Sequence, residues 1–133
     1  MKPIALRVRR LVDTDVKTVY NLIDDETARL TNLQVPFELI NAGVFIIHYD
    51  TYGAWYNNEL VGAFELKSDG EVSYLVHKEY RRRGVATEML KMAQSIYKRK
   101  YKNASILYCN IHNENVASIA TASKSGFNVK SYG

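Results

Sequence analysis

The stretch that decides the fold reads Val72-Ser73-Tyr74-Leu75-Val76-His77-Lys78-Glu79-Tyr80-Arg81-Arg82-Arg83-Gly84-Val85-Ala86-Thr87. Its first part is rich in β-prone residues and reads as a strand. A short basic turn follows. From Val85 onward, Met89, Met92, Ala93, Ile96 and Tyr97 recur at helical spacing, which predicts a long helix over Val85 to Tyr101. A strand that turns directly into a helix leaves free backbone N–H groups at the helix start, aligned with the positive end of the dipole. That arrangement is an anion site. Gly84 removes a side chain where the anion approaches the backbone, Ala86 keeps the next turn slim, and Arg81, Arg82 and Arg83 offer charge-assisted contacts to phosphate oxygens.

Upstream, Ile4 to Arg10 alternates apolar and polar residues and predicts a first strand. Asp13-Thr14-Asp15 supplies N-cap chemistry for a helix carrying Val16, Val19, Tyr20 and Ile23 on one face. The pattern weakens between Asp24 and Gly43, where Pro36 suits the first turn of a short helix over Phe37 to Ile40 that Gly43 would end. Residues 44 to 77 read as antiparallel sheet. Val44 to Tyr49 is an apolar β-prone run, Gly53 to Tyr56 and Glu59 to Lys67 flank an Asn57-Asn58 turn, and Ser68-Asp69-Gly70 turns into a strand over Glu71 to His77.

Downstream, Ser105 to Ile111 predicts a strand, and Asn115 to Lys124 a helix ended by Ser125-Gly126, with Phe127 packing back. Lys98, Arg99 and Lys100 fall in the last turn of the long helix, where they complement its dipole. Asn128 to Gly133 suffice for one short strand. The expected order is β-α-α-β-β-β-α-β-α plus that strand, an α/β layered fold with a mixed, mostly antiparallel sheet flanked by helices.

With 133 residues, the chain fits one domain over 1–133, and its 47% hydrophobic content fills a single core without staples. The one cysteine, Cys109, excludes an internal disulfide and a cysteine zinc cluster, and reads as a small apolar residue in a strand. His48, His77 and His112 are far apart, so no metal is expected. The longest apolar run is too short to span a bilayer, and Lys2, Pro3 and Arg7 leave no room for a secretory segment, so a cytoplasmic protein is expected. The net charge of +4 suits a polyanionic ligand. Basic clusters at Arg7/Arg9/Arg10 and at Lys98 to Lys102 read as solvated faces. No nucleic-acid reader motif accompanies them, so a nucleic-acid partner is not expected.

Arg81-Arg82-Arg83-Gly84-Val85-Ala86 resembles the Gln/Arg-x-x-Gly-x-Gly/Ala signature of the GCN5-related N-acetyltransferases. A second signature of that family, Asn-x-x-Ala/Ser followed by Gly-Phe eleven and twelve residues after the Asn, matches Asn115-Val116-Ala117-Ser118 and Gly126-Phe127. In motif style the chain is nearest to members resembling ribosomal-protein N-terminal acetyltransferases. The resemblance covers essentially the whole chain and implies an acyl-CoA N-acyltransferase fold, with acetyl-CoA as co-substrate and a primary amine as acceptor. It further implies that the backbone of Tyr74, Leu75 and Val76 pairs with the pantetheine arm. Arg81, Arg82, Arg83, Gly84, Val85, Ala86 and Thr87 would surround the pyrophosphate, and Asn115 would hydrogen-bond the pantetheine region.

The chemistry departs from the family pattern. The family's acid Tyr corresponds to Ala122, and the Glu base of some members corresponds to Asn110. Glu71 and Glu65 are the replacement bases to consider, and Tyr108, on the same strand face as Asn110, offers a phenol. A silent acetyl-CoA-binding module is therefore the alternative to an enzyme. Family members usually continue beyond so short a C-terminal segment through a hairpin that walls the acceptor site. The resemblance therefore implies an open acceptor cleft, a wall supplied by a partner subunit such as a second copy in a homodimer, or lost activity. The acceptor itself is not legible, although Asp24 to Gly43 should shape its site.

Overall fold

The computed structural model describes residues 3–48, 50–101 and 106–133. Lys2, Tyr49, Lys102 and the start of the expected strand at Ser105 lie outside the described residues. The strands are β1 (Arg7–Arg10), β2 (Asp50–Tyr56), β3 (Glu59–Leu66), β4 (Val72–Val76), β5 (Tyr108–His112) and β6 (Asn128–Tyr132). The helices are α1 (Val16–Leu22), α2 (Asp25–Leu30), α3 (Leu39–His48), α4 (Val85–Lys100) and α5 (Val116–Lys124).

β1 to β4 form an antiparallel sheet in chain order, and β5 pairs in parallel with β6. Asn57 and Asn58 both take positive φ, at 49° and 66°, as their hairpin turn requires. The two sheets touch at one place. Glu71 bridges Tyr108, and the Tyr108 N–H donates to the Gly70 carbonyl at 3.0 Å. Beyond that point, β4 and β5 separate. Along Tyr74 to Val76, the β4 edge that faces away from β3 has no strand partner among the described residues.

Both faces of the larger sheet are covered. On one, Val61, Phe64 and Leu66 pack with Met89, Leu90, Ala93 and Tyr97 of α4. On the other, Leu60, Ala63 and Leu75 pack with Val19, Leu22, Ala42, Phe45 and Ile46 from α1 and α3. β3 consequently alternates between two interiors, and nearly all of its side chains are buried.

Four points depart from expectation. Val44 to His48 of the expected strand Val44 to Tyr49 are helical: α3 continues through Gly43 to His48. Packing chose the helix, because Ala42, Phe45 and Ile46 share one side and bury it on the sheet. Pro36 lies in a bend before this helix rather than in its first turn. A further helix, α2, occupies part of the region of weak pattern, capped by Asp24, whose carboxylate accepts the Thr27 N–H at 2.7 Å. Asp15 does not cap α1 through its side chain. It turns back to accept from both Arg9 nitrogens, at 2.9 and 3.0 Å, and from the Val12 N–H.

Candidate active site

The turn after β4 is built to stop a strand and start a helix within a few residues. Lys78–Tyr80 form a 3₁₀ turn whose Glu79 N–H donates to His77 Nδ1 at 3.1 Å. Arg82 and Gly84 then take left-handed φ values of 64° and 84°. Gly84 is the N-cap of α4 and brings no side chain to satisfy the helix start. The first helical bond of α4 runs from the Glu88 N–H to the Gly84 carbonyl at 3.1 Å. The N–H groups of Val85, Ala86 and Thr87 therefore have no carbonyl within the helix.

Those residues line a cleft of about 510 Å³. Its near wall is the turn and the unpaired edge of β4 at Tyr74, Leu75 and Val76. Its far wall is Thr27, Leu30 and Thr31 of α2 and the loop after it, with Asn115, Ser118 and Thr121 closing one end. Arg81 is held across the cleft, donating from Nη2 to Thr27 Oγ1 at 2.9 Å. Arg82 also lines the cleft, whereas the Arg83 guanidinium lies over the Tyr80 ring at 4.5 Å, outside the lining. Two of the three arginine side chains therefore share the space, and the third is stacked away from it.

Asn115 caps α5 only through its backbone, and its side chain makes no cap hydrogen bond. It faces both the large cleft and a gap of about 30 Å³ bounded by Ser73, Tyr74, Asn110 and Ser118. Tyr74 reaches across this junction and donates its hydroxyl to the Ser118 carbonyl at 2.9 Å, with burial pushing its pKa up to about 12. Ala122, where the resemblance leads one to look for a phenol, is fully buried in the core, one turn beyond Ser118. At the junction a phenol comes from Tyr74 of β4 instead.

Past the junction lies a second cleft of about 370 Å³, which shares Thr31, Ser73 and Asn110 with it. Its floor carries Glu65, Lys67 and Glu71, and its outer wall is Leu33, Phe37, Val44 and Phe45. Glu71 is already engaged, accepting from Lys67 Nζ at 3.3 Å. The Glu65 carboxylate, half-buried on β3, makes no side-chain hydrogen bond among the described residues. Burial raises its pKa to about 7; the Lys67 charge opposes that rise and the Glu71 charge adds to it. Tyr108 lies outside both clefts. Its hydroxyl donates to Asp69 Oδ2 at 2.8 Å, and Lys130 Nζ sits 4.5 Å above its ring. Of the expected pair, then, Glu71 stands in the second cleft as an ion-paired neighbour of Glu65, and Tyr108 does not enter either cleft.

Sequence reasoning reached the turn, the strand edge and Asn115, but not the α2 wall, the Tyr74 hydroxyl or the particular setting of Glu65. Asp24 three residues before Thr27 was the available signal for α2. The continuous apolar run Leu60 to Phe64 was the available signal that β3 is covered on both faces.

The model of the acetyltransferase (GNAT) family matches residues 16–127. The chain belongs to the GNAT acetyltransferase family. Solved GNAT structures share its fold. Aminoglycoside acetyltransferase AAC(6')-Ib in complex with coenzyme A superposes with a TM-score of 0.74 at 12% identity, covering 92% of this chain and 83% of that one. The GNAT acetyltransferase of Bacillus anthracis gives a TM-score of 0.71 at 18% identity, covering 94% and 81%. That of Streptococcus pneumoniae gives 0.68 at 15%, covering 92% and 84%. No curated protein matches the chain in sequence. Among the described residues, no helix of this GNAT domain is long and apolar enough to cross a membrane.

Proposed function

We propose that this GNAT domain is an acetyl-CoA-dependent N-acetyltransferase acting on a primary amine, with Glu65 as the base. The observation that carries this reading is the meeting of two clefts. One offers unpaired amides, arginines and a free strand edge, the other a carboxylate poised near neutrality; they share Thr31 and are bridged by the small gap that Ser73 and Asn110 line. The residues present fit acetyl-CoA. Val85, Ala86 and Thr87 would donate amides to its pyrophosphate beside Arg81 and Arg82, the Tyr74 to Val76 backbone would receive its pantetheine arm, and the Asn115 amide would hold that arm.

Acetyl-CoA supplies the activated acetyl thioester. Glu65 draws the entering ammonium and takes one of its protons, freeing the nitrogen lone pair to attack the carbonyl carbon. A C–N bond forms as the C–S bond breaks. A second amine proton ends on the departing sulfur, so that one proton is released for each amide formed. Tyr74, whose pKa is pushed up to about 12, stays protonated beside the junction and lends it a fixed dipole.

The test is calorimetric titration with acetyl-CoA followed by thiol-release assays with primary amines. Saturable binding plus turnover supports the reading. Binding without turnover on any amine identifies a silent module, and no binding at high micromolar acetyl-CoA rejects both.

A further inference from the structure

We propose that the acceptor is an amphipathic monoamine, whose single ammonium meets Glu65 while an apolar body lies against α3. The inference rests on the acetyltransferase reading and narrows its substrate class. The charged side chains facing the second cleft are Glu65, Lys67 and Glu71, and the last two are bonded to each other. One carboxylate is left to meet a cation. Further ammoniums on the same acceptor find no second unengaged carboxylate in this cleft among the described residues, and they enter a protein of net charge +4.

On the opposite wall, where Asn32, Gln34 and Asn41 supply polar groups, the apolar lining is Leu33, Phe37, Val44 and Phe45. Phe37 and Phe45 are buried beneath it, while Val44 is 48% exposed at its surface. Ile40 and Ile47, at 73% and 77% exposed, stand four residues before and three after Val44. Positions i, i+4 and i+7 share one helix face. A band of three large aliphatic side chains thus leads out of the cleft along α3, next to the carboxylate. Adjoining a groove with a polar anchor, such a band marks where an apolar ligand lies. The volume of about 370 Å³ holds an aromatic or short aliphatic body, and a longer chain would continue onto Ile40 and Ile47.

The experiment compares kcat/KM for phenethylamine, hexylamine and octylamine with spermidine, kanamycin and a lysine-containing peptide, in wild type and Val44→Asp. The substitution sits at a half-exposed position, so the fold is retained, and acetyl-CoA affinity is measured on both proteins. The expected result is a preference of at least about tenfold for the three apolar amines, rising from hexylamine to octylamine, and a loss of about tenfold on those amines in Val44→Asp. Acetyl-CoA binding should be unchanged. Equal or better turnover of spermidine, kanamycin or the peptide overturns the inference, as does an unaltered preference in Val44→Asp. In those cases acetyl-CoA binding and turnover persist, so the broader reading survives. Failure to bind acetyl-CoA removes both.

Discussion

Replacing Glu65 by Gln separates two consequences of one half-buried carboxyl group. Its ordinary value is 4.5, and burial on β3 raises it to about 7 in the folded protein. The native state then holds the proton more tightly than the unfolded chain does. For such a group, the favourable contribution to stability is fully present below 4.5, declines between 4.5 and about 7, and is gone above that. At about 1.4 kcal/mol per pH unit, the span corresponds to at most about 3–4 kcal/mol. Partial solvent contact brings this toward about 1–2 kcal/mol. Gln does not titrate. Urea unfolding should therefore show Glu65→Gln gaining on wild type by about 1–2 kcal/mol between pH 5 and pH 8. Activity should move the other way. Wild-type kcat/KM should rise with pH to an inflection near 7, and the variant should lose that inflection and fall by about 10²- to 10⁴-fold. A variant more stable at alkaline pH yet slower is what a strained functional carboxyl produces. If the variant's stability tracks wild type at both pH values, or its rate keeps an inflection near 7, the reasoning about Glu65 is wrong.

At the phosphate turn, Gly84→Ala should cost about 1–2 kcal/mol in unfolding free energy. That cost is conformational, because a Cβ there meets nothing nearer than Ile4 Cγ2 at 3.9 Å while φ is +84°. Gly84→Glu should in addition raise the acetyl-CoA dissociation constant at least about tenfold by placing a carboxylate near the pyrophosphate. Cys109, buried on β5 with its thiol pushed up to about 12 by that burial, should stay inert to an aromatic disulfide at pH 8 until urea unfolds the chain. Asp50 accepts from Arg10, Lys100 and Tyr101. Burial alone would raise its pKa, but the Lys100 and Tyr101 hydrogen bonds outweigh it and hold it below 3.8. The stability it supplies is present above that ordinary value and lost as acid takes the pH through the lower folded one. Asp50→Ala should cost about 1–3 kcal/mol at pH 7, with the difference from wild type shrinking in acid titrations.

The strand-turn-helix from Val72 to Thr87 was legible because local requirements decide it. A left-handed glycine, a β-prone run and a helical apolar stripe leave little else for that segment to do. The α5 region was legible for the same reason, with Gly126-Phe127 closing the helix. α3 was not. Val44-Phe45-Ile46-Ile47 is apolar throughout, and so short a run fits period 2 and period 3.6 equally well. What distinguishes them is that α1 and the sheet present a surface for Ala42, Phe45 and Ile46, and no local pattern records that surface. The proposed catalytic side of the site failed to show for a related reason. Glu65 and Glu71 look alike in sequence, and only the covering of β3 on both faces makes one a buried titrating group while Lys67 engages the other. Tyr108 looked equivalent to a cleft phenol until its strand turned it toward Asp69.

The most direct measurement is a crystal structure of the protein with coenzyme A. The account predicts diphosphate oxygens within hydrogen-bond distance of the Val85, Ala86 and Thr87 amides, the pantetheine arm alongside Tyr74 to Val76, and the sulfur at the junction near Ser73 and Asn110. A diphosphate bound elsewhere, or a pantetheine arm that leaves the β4 edge unpaired, would contradict it.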